Sequence, residues 1–162
     1  MGDDQSVRII VVGAGEVGTY VADRLSNQGH DVTIIEVDGD RGREIQGVLD
    51  VEILHGSGTD PDVLDQARVG KADLLVAVTK HDEVNILSAL MARKRGVTKT
   101  IVRVESRSLR RTQAAALFED AEDHLVIDPD DEVAQAVQRL IRFTGVLEYD
   151  EMAGGEVVVL TA

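Results

Sequence analysis

Short apolar runs recur along the chain and are bounded by glycine, proline or charged residues. Such runs predict strands that are buried on both faces of a sheet. They occupy residues 7–12, 31–37, 51–54, 74–78, 100–104 and 125–127. Segments in which apolar residues follow helical spacing separate them, at residues 16–28, 39–48, 81–94, 108–118 and 130–142.

The helical spacing also predicts which side chains face the core. In residues 16–28 the expected inner face carries Val17, Tyr20, Val21 and Leu25. In residues 81–94 it carries Val84, Leu87, Leu90 and Met91. One more helix is expected after residue 60, because Asp60 can cap it and Pro61 suits its first position.

Strands that alternate with helices predict an α/β fold with a mostly parallel sheet covered on both faces. Six strands in this order favour a doubly wound, Rossmann-like sheet with strand order 3-2-1-4-5-6. The alternation stops between residues 145 and 155, and a last apolar run follows at Val157–Thr161. We expect this run to begin another module that is cut short. Alternatively, it adds to an edge of the main sheet or pairs with another subunit.

Composition is typical of a single globular domain. The chain has 162 residues, of which 43% are hydrophobic, and no apolar run is long enough to cross a membrane. Residues 1–6 are polar and acidic, unlike a signal peptide. Cysteine is absent, which excludes disulfides and favours a cytoplasmic protein.

The formal charge of −13 argues against a nucleic-acid partner, because phosphate backbones are bound by basic surfaces. Only 17 lysines and arginines stand against 30 acidic residues. The acids are spread along the chain, which is typical of an ordinary solvated surface. The same balance also fits adaptation to high salt, where charge repulsion is screened.

A glycine motif joins the first strand to the first helix. Gly13, Gly15 and Gly18 in "GAGEVG" have G-x-G-x-x-G spacing. In dinucleotide-binding folds the first glycine permits the tight turn, the second admits a pyrophosphate and the third lets helix and strand pack closely. The start of the helix offers unpaired N–H groups to an anion. The sequence therefore predicts a nucleotide site here.

Glu36 ends the second strand, where a carboxylate can accept hydrogen bonds from the adenosine ribose and repel a 2′-phosphate. This favours NAD over NADP. Asp38 is a second candidate ribose contact, or else the cap of the next helix. Arg41 and Arg43 could pair with a 2′-phosphate, but we favour a solvated helix face because Glu36 comes first.

Three polar residues lie near the point where the strand order reverses, which is where such sheets bind ligands. Thr79 follows the fourth strand and either contacts the ligand or caps the next helix. Asn85 lies at the start of that helix and is a ligand contact or a plain surface amide. Arg103 lies in the apolar run "TIVRV" and therefore needs an acid, a phosphate or solvent as its partner.

Catalytic patterns are missing, and we assign neither catalytic residues nor metal ligands. The histidines at positions 30, 55, 81 and 124 lack metal-binding spacing. No Tyr-x-x-x-Lys pair, P-loop or Ser–His–Asp order is present, and "KHDE" at residues 80–83 is best explained as a helix start with acids near the dipole. A binding module is favoured. The alternatives are a small NAD-dependent oxidoreductase, or a fragment of one, and a methyltransferase.

Several segments together resemble the TrkA N-terminal domain, also called the RCK or KTN domain, of potassium channels and transporters. They are "GAGEVG", "VTIIEVD", "HGSGTDPDVLDQA", "ADLLVAVTKHDEVNILSALMARKRGV" and "TIVRVES". On this resemblance, residues 1–142 form the NAD-binding domain. Residues 143–162 are similar to the linker and the start of a truncated C-terminal subdomain.

The resemblance implies site residues. The pyrophosphate would face the glycine loop, Glu36 would hold the ribose, the 56–59 loop would border adenine, and Arg103 would reach the phosphates. The full set is Gly13, Ala14, Gly15, Glu16, Val17, Gly18, Glu36, Asp38, Gly56, Ser57, Thr59, Thr79, Asn85 and Arg103. Ser57 departs from the family, which often has aspartate there, and the loop could instead be a turn before a capped helix.

The resemblance further implies a cytoplasmic subunit at the inner face of the membrane that binds NAD or NADH or, in some members, ATP or ADP. Such subunits form homodimers that assemble into tetramers or octamers beneath a membrane potassium transporter or channel. Ligand-linked conformational change would gate that partner. Within this chain, the helix at residues 130–142 and the segment that follows residue 145 are the expected mobile elements.

Overall fold

The computed structural model describes residues 6–107, 109, 124–127, 148–152 and 157–161. Its strands are β1 (Arg8–Val12), β2 (Asp31–Glu36), β3 (Glu52–His55), β4 (Leu74–Ala77), β5 (Lys99–Arg103), β6 (His124–Ile127), β7 (Glu148–Met152) and β8 (Val157–Thr161). Its helices are α1 (Glu16–Asn27), α2 (Gly39–Gln46), α3 (Pro61–Gln66) and α4 (Asp82–Lys94), with a 3₁₀ turn at Val69–Lys71.

Six strands form one sheet in the order β3-β2-β1-β4-β5-β6, and all neighbouring pairs are parallel. This confirms the predicted doubly wound α/β fold and its strand order. In the register, Val12 lies opposite both Ile35 of β2 and Ala77 of β4. The carboxyl ends of these three strands therefore meet at one edge, where the order reverses between β1 and β4.

The sheet separates two hydrophobic cores. On one face, Val21 and Leu25 of α1 and Ile45 of α2 pack against alternate residues of the strands, such as Val11. On the other face, α3 and α4 cover the remaining positions, such as Ile10. Burial of each large aliphatic side chain stabilises the fold by about 1.5–3 kcal/mol, so the alternating strand residues fix both faces at once.

The predicted inner face of α4 is confirmed only in part, because three of its four residues pack against the core but are not the most buried residues of the helix. Its buried residues are Asn85, Ser88, Ala89 and Ala92, whereas Leu87 is 46% exposed. Val84, Leu90 and Met91 are only partly buried at the edges of this contact. Small side chains let the helix axis approach β4 and β5 closely, so close packing rather than side-chain hydrophobicity selected the inner face.

Element boundaries agree with the sequence to within a few residues. Asp60 caps α3 by accepting a hydrogen bond from the N–H of Asp62, and Pro61 occupies the first position, as predicted. Arg107 and Leu109 are helical, but the rest of the predicted helix at 108–118 lies outside the described residues. The predicted helix at 130–142 also lies outside them.

Strand β8 pairs antiparallel with β7 in a separate two-stranded sheet. The predicted strand at Val157–Thr161 is therefore confirmed, and its partner among the described residues is β7 rather than an edge of the main sheet. Pairing with another subunit stays a prediction. Strand β7 was missed because its sequence, "EYDEM", is rich in acids that disfavour strands. The division of the chain at residue 142 stays a prediction.

Within the described residues, no helix combines the length and the apolar character needed to cross a bilayer.

Candidate functional site

The predicted site residues gather along the carboxyl edge of the main sheet. The glycine loop follows β1, Glu36 ends β2, Thr79 follows β4 and Arg103 ends β5. Because these four strands are adjacent and parallel, residues up to 90 positions apart in sequence (13 against 103) share one edge. The loop after β3 joins them, since the Gly56 N–H donates to the Glu36 carbonyl oxygen at 3.0 Å.

Two glycines of the loop are required by the protein itself. Gly13 has φ +100°, and a Cβ there would lie 2.9 Å from the Thr79 methyl carbon. A Cβ on Gly18 would lie 1.9 Å from the Gly13 carbonyl oxygen. These contacts confirm the predicted tight turn and the predicted close packing of α1 against the end of β1.

Gly15 is different, because neither the backbone nor packing requires glycine there. Its φ is −69°, a value that ordinary residues adopt, and a Cβ would meet no heavy atom within 4 Å. Gly15 is also the N-cap of α1, and no side chain caps this helix. The first-turn N–H groups, including those of Glu16 and Val17, have no intrahelical acceptor. Open space therefore faces uncapped donors where a pyrophosphate was expected.

The Glu36 carboxylate is held by two backbone amides. Glu36 is buried, with 8% of its surface exposed. Oε2 accepts from the Ala14 N–H at 2.6 Å, and Oε1 accepts from the Asp38 N–H at 2.8 Å. The carboxylate therefore keeps a fixed position between the glycine loop and the loop after β2. Charge-assisted bonds of this kind are stronger than neutral ones, so they orient the group that was predicted to hold the ribose.

The Ala14 peptide differs from expectation. Its N–H points to Glu36 rather than outward to a phosphate. Its carbonyl oxygen accepts from the Thr19 hydroxyl and from Nη1 of Arg41, both at 3.1 Å. Both backbone polar groups of Ala14 are thus hydrogen-bonded within the protein, which leaves the N–H groups of the following residues as the donors available to an anion.

The start of α2 bears on the roles that the sequence left open for Asp38, Arg41 and Arg43. Asp38 is its N-cap and accepts from the N–H groups of Asp40 and Arg41, at 3.0 and 3.2 Å, which favours the cap over a ribose contact. Arg43 is exposed and pairs with Asp40, as expected for a solvated helix face. Arg41 does not fit that description, because it reaches back to the glycine loop. No local sequence signal predicts a contact between residues 27 positions apart.

The loop after β3 is a packed turn. Gly56 has φ +155°, and a Cβ there would lie 2.5 Å from a Val63 methyl carbon. A Cβ on Gly58 would lie 2.4 Å from Val12 Cγ1 and 2.8 Å from Ser88 Oγ. The glycines are therefore explained by packing alone, which supports the turn alternative.

Ser57 and Thr59 complete this turn. Their hydroxyl oxygens lie 2.8 Å apart, and Ser57 Oγ also accepts from the Thr59 N–H at 3.2 Å. The loop lies at the predicted edge beside Glu36 and Val12. Its contact with adenine stays a prediction.

Asn85 is fully buried and clamps the ends of β4 and β5. Its Oδ1 accepts from the Thr79 N–H at 2.9 Å and the Thr79 hydroxyl at 2.7 Å. Its Nδ2 donates to the carbonyl oxygens of Thr79 and Arg103, both at 2.9 Å. An amide has two donors and two acceptor sites, and these bonds use all four. The surface-amide alternative is therefore wrong, because Asn85 is buried, whereas a direct ligand contact stays a prediction.

Thr79 has a local role as well as its position at the edge. Its hydroxyl oxygen accepts from the His81 N–H at 3.1 Å in the turn before α4. His81 is the N-cap, and Asp82 and Glu83 lie in the first helical turn, which confirms that "KHDE" is a helix start. The capping alternative for Thr79 is thus close to what the structure shows. A ligand contact stays a prediction.

Asp82 contributes a clamp that the sequence did not indicate. Its two carboxylate oxygens accept from the N–H groups of Glu105 and Ser106, each at 2.9 Å. The first turn of α4 therefore holds the chain where it leaves β5, while Asn85 holds the last carbonyl of that strand. The acid was attributed only to the helix dipole, because its partners lie 23 and 24 residues away.

Arg103 forms an ion pair with Glu105. Its Nη2 donates to Glu105 Oε1 at 2.6 Å, and its side chain is 18% exposed. Its Nε is buried and has no acceptor in the described part of the chain. The expectation of a charged partner is therefore met by an acid, while the expected phosphate contact stays a prediction.

A pocket of about 350 Å³ opens beside Glu36 between α2 and β3. Its lining consists of Glu36, Asp38, Gly39, Gly42, Arg43, Gln46, Ile53 and His55. His55 Nε2 lies 3.0 Å from the Val37 carbonyl oxygen, which fixes the imidazole at the rim. A 2′-phosphate placed here would face the carboxylates of Glu36 and Asp38, and the lining also includes Arg43, which pairs with Asp40. Residues 6–107, with the shorter described segments, contain no cluster of potential metal ligands.

Comparison with known proteins identifies the family. The family model described as the TrkA-N domain matches residues 9–112. The Trk system potassium uptake protein TrkA of Halomonas elongata is 36% identical over 150 residues, which is 92% of this chain and 33% of that protein. The TrkA homolog of Archaeoglobus fulgidus is 38% identical over 154 residues, which is 95% of this chain and 35% of that protein. The chain thus spans about a third of the length of these relatives.

Solved structures share the fold. The TrkA-N domain of the inner membrane protein ybaL from Escherichia coli has a TM-score of 0.62 and 16% identity, and the match covers 88% of this chain and 98% of that one. The GsuK channel bound to NAD has a TM-score of 0.61 and 19% identity, over 77% of this chain and 22% of that one. The Kef CTD of Shewanella denitrificans in its AMP-bound form has a TM-score of 0.58 and 20% identity, over 85% and 81%.

The glycine loop, the acid that ends β2 and the six-stranded parallel sheet thus agree with a family model that covers most of the chain, and the protein belongs to the TrkA-N domain family.

Proposed function

We propose that this chain is a nucleotide-binding regulatory domain of a potassium uptake system. It binds NAD or NADH at the carboxyl edge of the sheet and controls a membrane potassium transporter or channel through ligand-linked conformational change. The proposal depends on the environment of Gly15. Neither its backbone conformation nor packing against the described residues requires glycine at that position. The space beside it faces the uncapped start of α1. A bound pyrophosphate explains the missing side chain.

The relatives and the fold support the ligand class. The named relatives are potassium uptake proteins, and two structures of the same fold contain NAD and AMP. Both ligands carry an adenosine phosphate. On this view the glycine loop binds the phosphates and Glu36 binds the adenosine ribose, so ATP and ADP are alternative ligands of the same site.

Glu36 supports NAD rather than NADP. Two amides hold its carboxylate in place, so it cannot rotate away from a ribose without losing both bonds. Two ribose hydroxyls can still donate to its remaining lone pairs. A 2′-phosphate would instead bring negative charge against a fixed carboxylate, which is costly in a partly buried site. The cap role of Asp38 places a second carboxylate nearby.

Regulation requires two conformations with unequal nucleotide affinity. By analogy with its potassium uptake relatives, we place the domain in the cytoplasm at the inner face of the membrane, in homodimers that assemble into tetramers or octamers with the membrane subunit. A nucleotide that binds one conformation ten times more tightly shifts the equilibrium by about 1.4 kcal/mol.

Gly15→Ala tests the proposal. We expect the wild type to bind NADH, followed by fluorescence or calorimetric titration, and the variant to bind at least about tenfold more weakly, because the new methyl group fills the space of the pyrophosphate. Its melting temperature should stay within about 2 °C of wild type, since, apart from its two chain neighbours, no heavy atom of the described residues lies within 4 Å of that methyl.

Gly47→Ala is the matched control. Gly47 ends α2 with φ −79°, and its Cβ would make an ordinary 3.8 Å contact. This variant should bind as wild type does. Absence of binding of NAD, NADH, ATP and ADP to the wild-type protein would contradict the proposal. Turnover of NADH with alcohol or carbonyl substrates would favour the oxidoreductase instead.

A further inference from the structure

Arg41 occupies an unusual position for an exposed arginine. Its Nη1 donates to the carbonyl oxygen of Ala14 at 3.1 Å, so the guanidinium lies beside the glycine loop. Its neighbour Arg43 pairs with the Asp40 carboxylate, whereas no carboxylate lies within 4 Å of the Arg41 nitrogens in the described part of the chain. Arg41 therefore presents a guanidinium that forms no ion pair within the described part of the chain.

The bond to Ala14 uses one of five guanidinium N–H donors. The others stay available beside the peptide that directly precedes Gly15. The local field otherwise disfavours an anion, because Glu16, Glu36 and Asp38 border the same loop and the whole chain carries −13. A nucleotide diphosphate needs a compensating cation, and the amides of α1 supply only partial charge.

We infer that Arg41 is a phosphate-binding residue of the nucleotide site. Its guanidinium contacts the pyrophosphate that NAD, NADH, ADP and ATP share, with two N–H donors in the forked geometry that suits phosphate oxygens. Its bond to Ala14 places it on the glycine-loop side of Glu36, away from the pocket in which a 2′-phosphate would lie. This inference rests on the proposed function.

The test compares ligands with and without phosphate. Arg41→Gln removes the charge and keeps an amide donor on a shorter side chain. We expect this variant to bind ADP and NADH about tenfold more weakly than wild type and to bind adenosine equally well, in calorimetric titrations. Arg41→Lys should recover part of the loss. The dependence of NADH affinity on KCl concentration should also become shallower, because one charge–charge contact is gone.

Two controls separate charge from loop support. Arg43→Gln removes another arginine of α2, which pairs with Asp40 and not with the glycine loop, and should leave ADP affinity within about twofold of wild type. Thr19→Ala removes the other donor to the Ala14 carbonyl, so it mimics any loss of loop support alone. If Arg41 acts through its charge, Thr19→Ala weakens ADP binding much less than Arg41→Gln does.

Four results would overturn the inference. Three of them are unchanged ADP affinity in Arg41→Gln, an equal loss for adenosine and ADP, and an equal loss in Thr19→Ala. The fourth is a loss confined to NADPH, since the contact would then be to a 2′-phosphate. These results all presuppose that the wild type binds ADP or NADH. A wild-type protein that binds neither defeats the proposed function itself.

Discussion

Glu36 and Ala14 lie 22 residues apart, yet Oε2 of the Glu36 carboxylate accepts a hydrogen bond from the Ala14 N–H, with 2.6 Å between oxygen and nitrogen. The position of Glu36 at the end of β2 followed from the sequence, since the apolar run and the spacing from the glycines marked it. Its partners did not, because which amide lies against the acid depends on how the β1 and β2 loops turn after their strands. The predicted acid is thus part of the glycine loop as well as a candidate ribose ligand.

At the residue scale, Gly18 should be the most sensitive glycine of the loop. A Cβ there would lie 1.9 Å from the Gly13 carbonyl oxygen, which is backbone and cannot rotate away. We expect Gly18→Ala to lower the free energy of unfolding by about 3 kcal/mol, measured by urea denaturation. Gly47→Ala should change it by less than about 1 kcal/mol. A Gly18 variant as stable as wild type would contradict the close packing of α1 on the loop.

Helix α4 shows what a single element can do at the sheet edge. Its first turns carry Asp82, which holds two amides beyond β5, and Asn85, which holds the ends of β4 and β5. Its amphipathic pattern predicted the helix correctly, together with three of the residues that pack against the core, but not its most buried side chains. A polar residue was not expected in the core, and its burial is tolerated only because all its hydrogen bonds are made.

At the element scale, Asp82→Asn should weaken the attachment of residues 105 and 106, which follow β5, to the first turn of α4. The asparagine side chain offers one carbonyl oxygen to two backbone N–H donors, and its NH₂ group faces one of them. We expect faster hydrogen exchange at the amides of Glu105 and Ser106, measured by mass spectrometry or NMR, and a stability loss of about 1.5 kcal/mol.

Glu83→Gln is the matched control for this clamp, since Glu83 lies in the same turn and its side chain is 81% exposed. Exchange at residues 105 and 106 should then match wild type. Equal acceleration in both variants would show that helix-dipole charge, rather than the two hydrogen bonds, protects the loop.

At the scale of the whole molecule, a net charge of −13 on 162 residues is a source of self-repulsion. The described ion pairs do not offset it, because they lie at least partly in solvent, where each contributes less than about 1 kcal/mol. At molar salt concentration the screening length is about 3 Å, so repulsion between surface charges that lie farther apart is largely removed.

We therefore expect the melting temperature to rise by about 5 °C between 0.1 and 2 M KCl, followed by circular dichroism or calorimetry. NaCl at the same ionic strength should have a similar effect, because screening does not depend on the identity of the cation. A melting temperature that is flat across this range would argue for an ordinary solvated surface, and a rise with KCl alone would indicate specific potassium binding.

The amino-acid sequence by itself determined the fold class, the strand order, the glycine turn and the acid that ends β2. The glycine turn and the acid depend on local spacing within about 30 residues, while the fold class and strand order follow from the alternation of strands and helices along the chain. The tertiary structure alone decided that Asn85 is buried and saturated, that Asp82 clamps the β5 exit, that Arg41 reaches Ala14 and that β7 pairs with β8. These contacts depend on which distant backbone groups packing brings within 3 Å, and the spacing of residues along the chain carries no record of that.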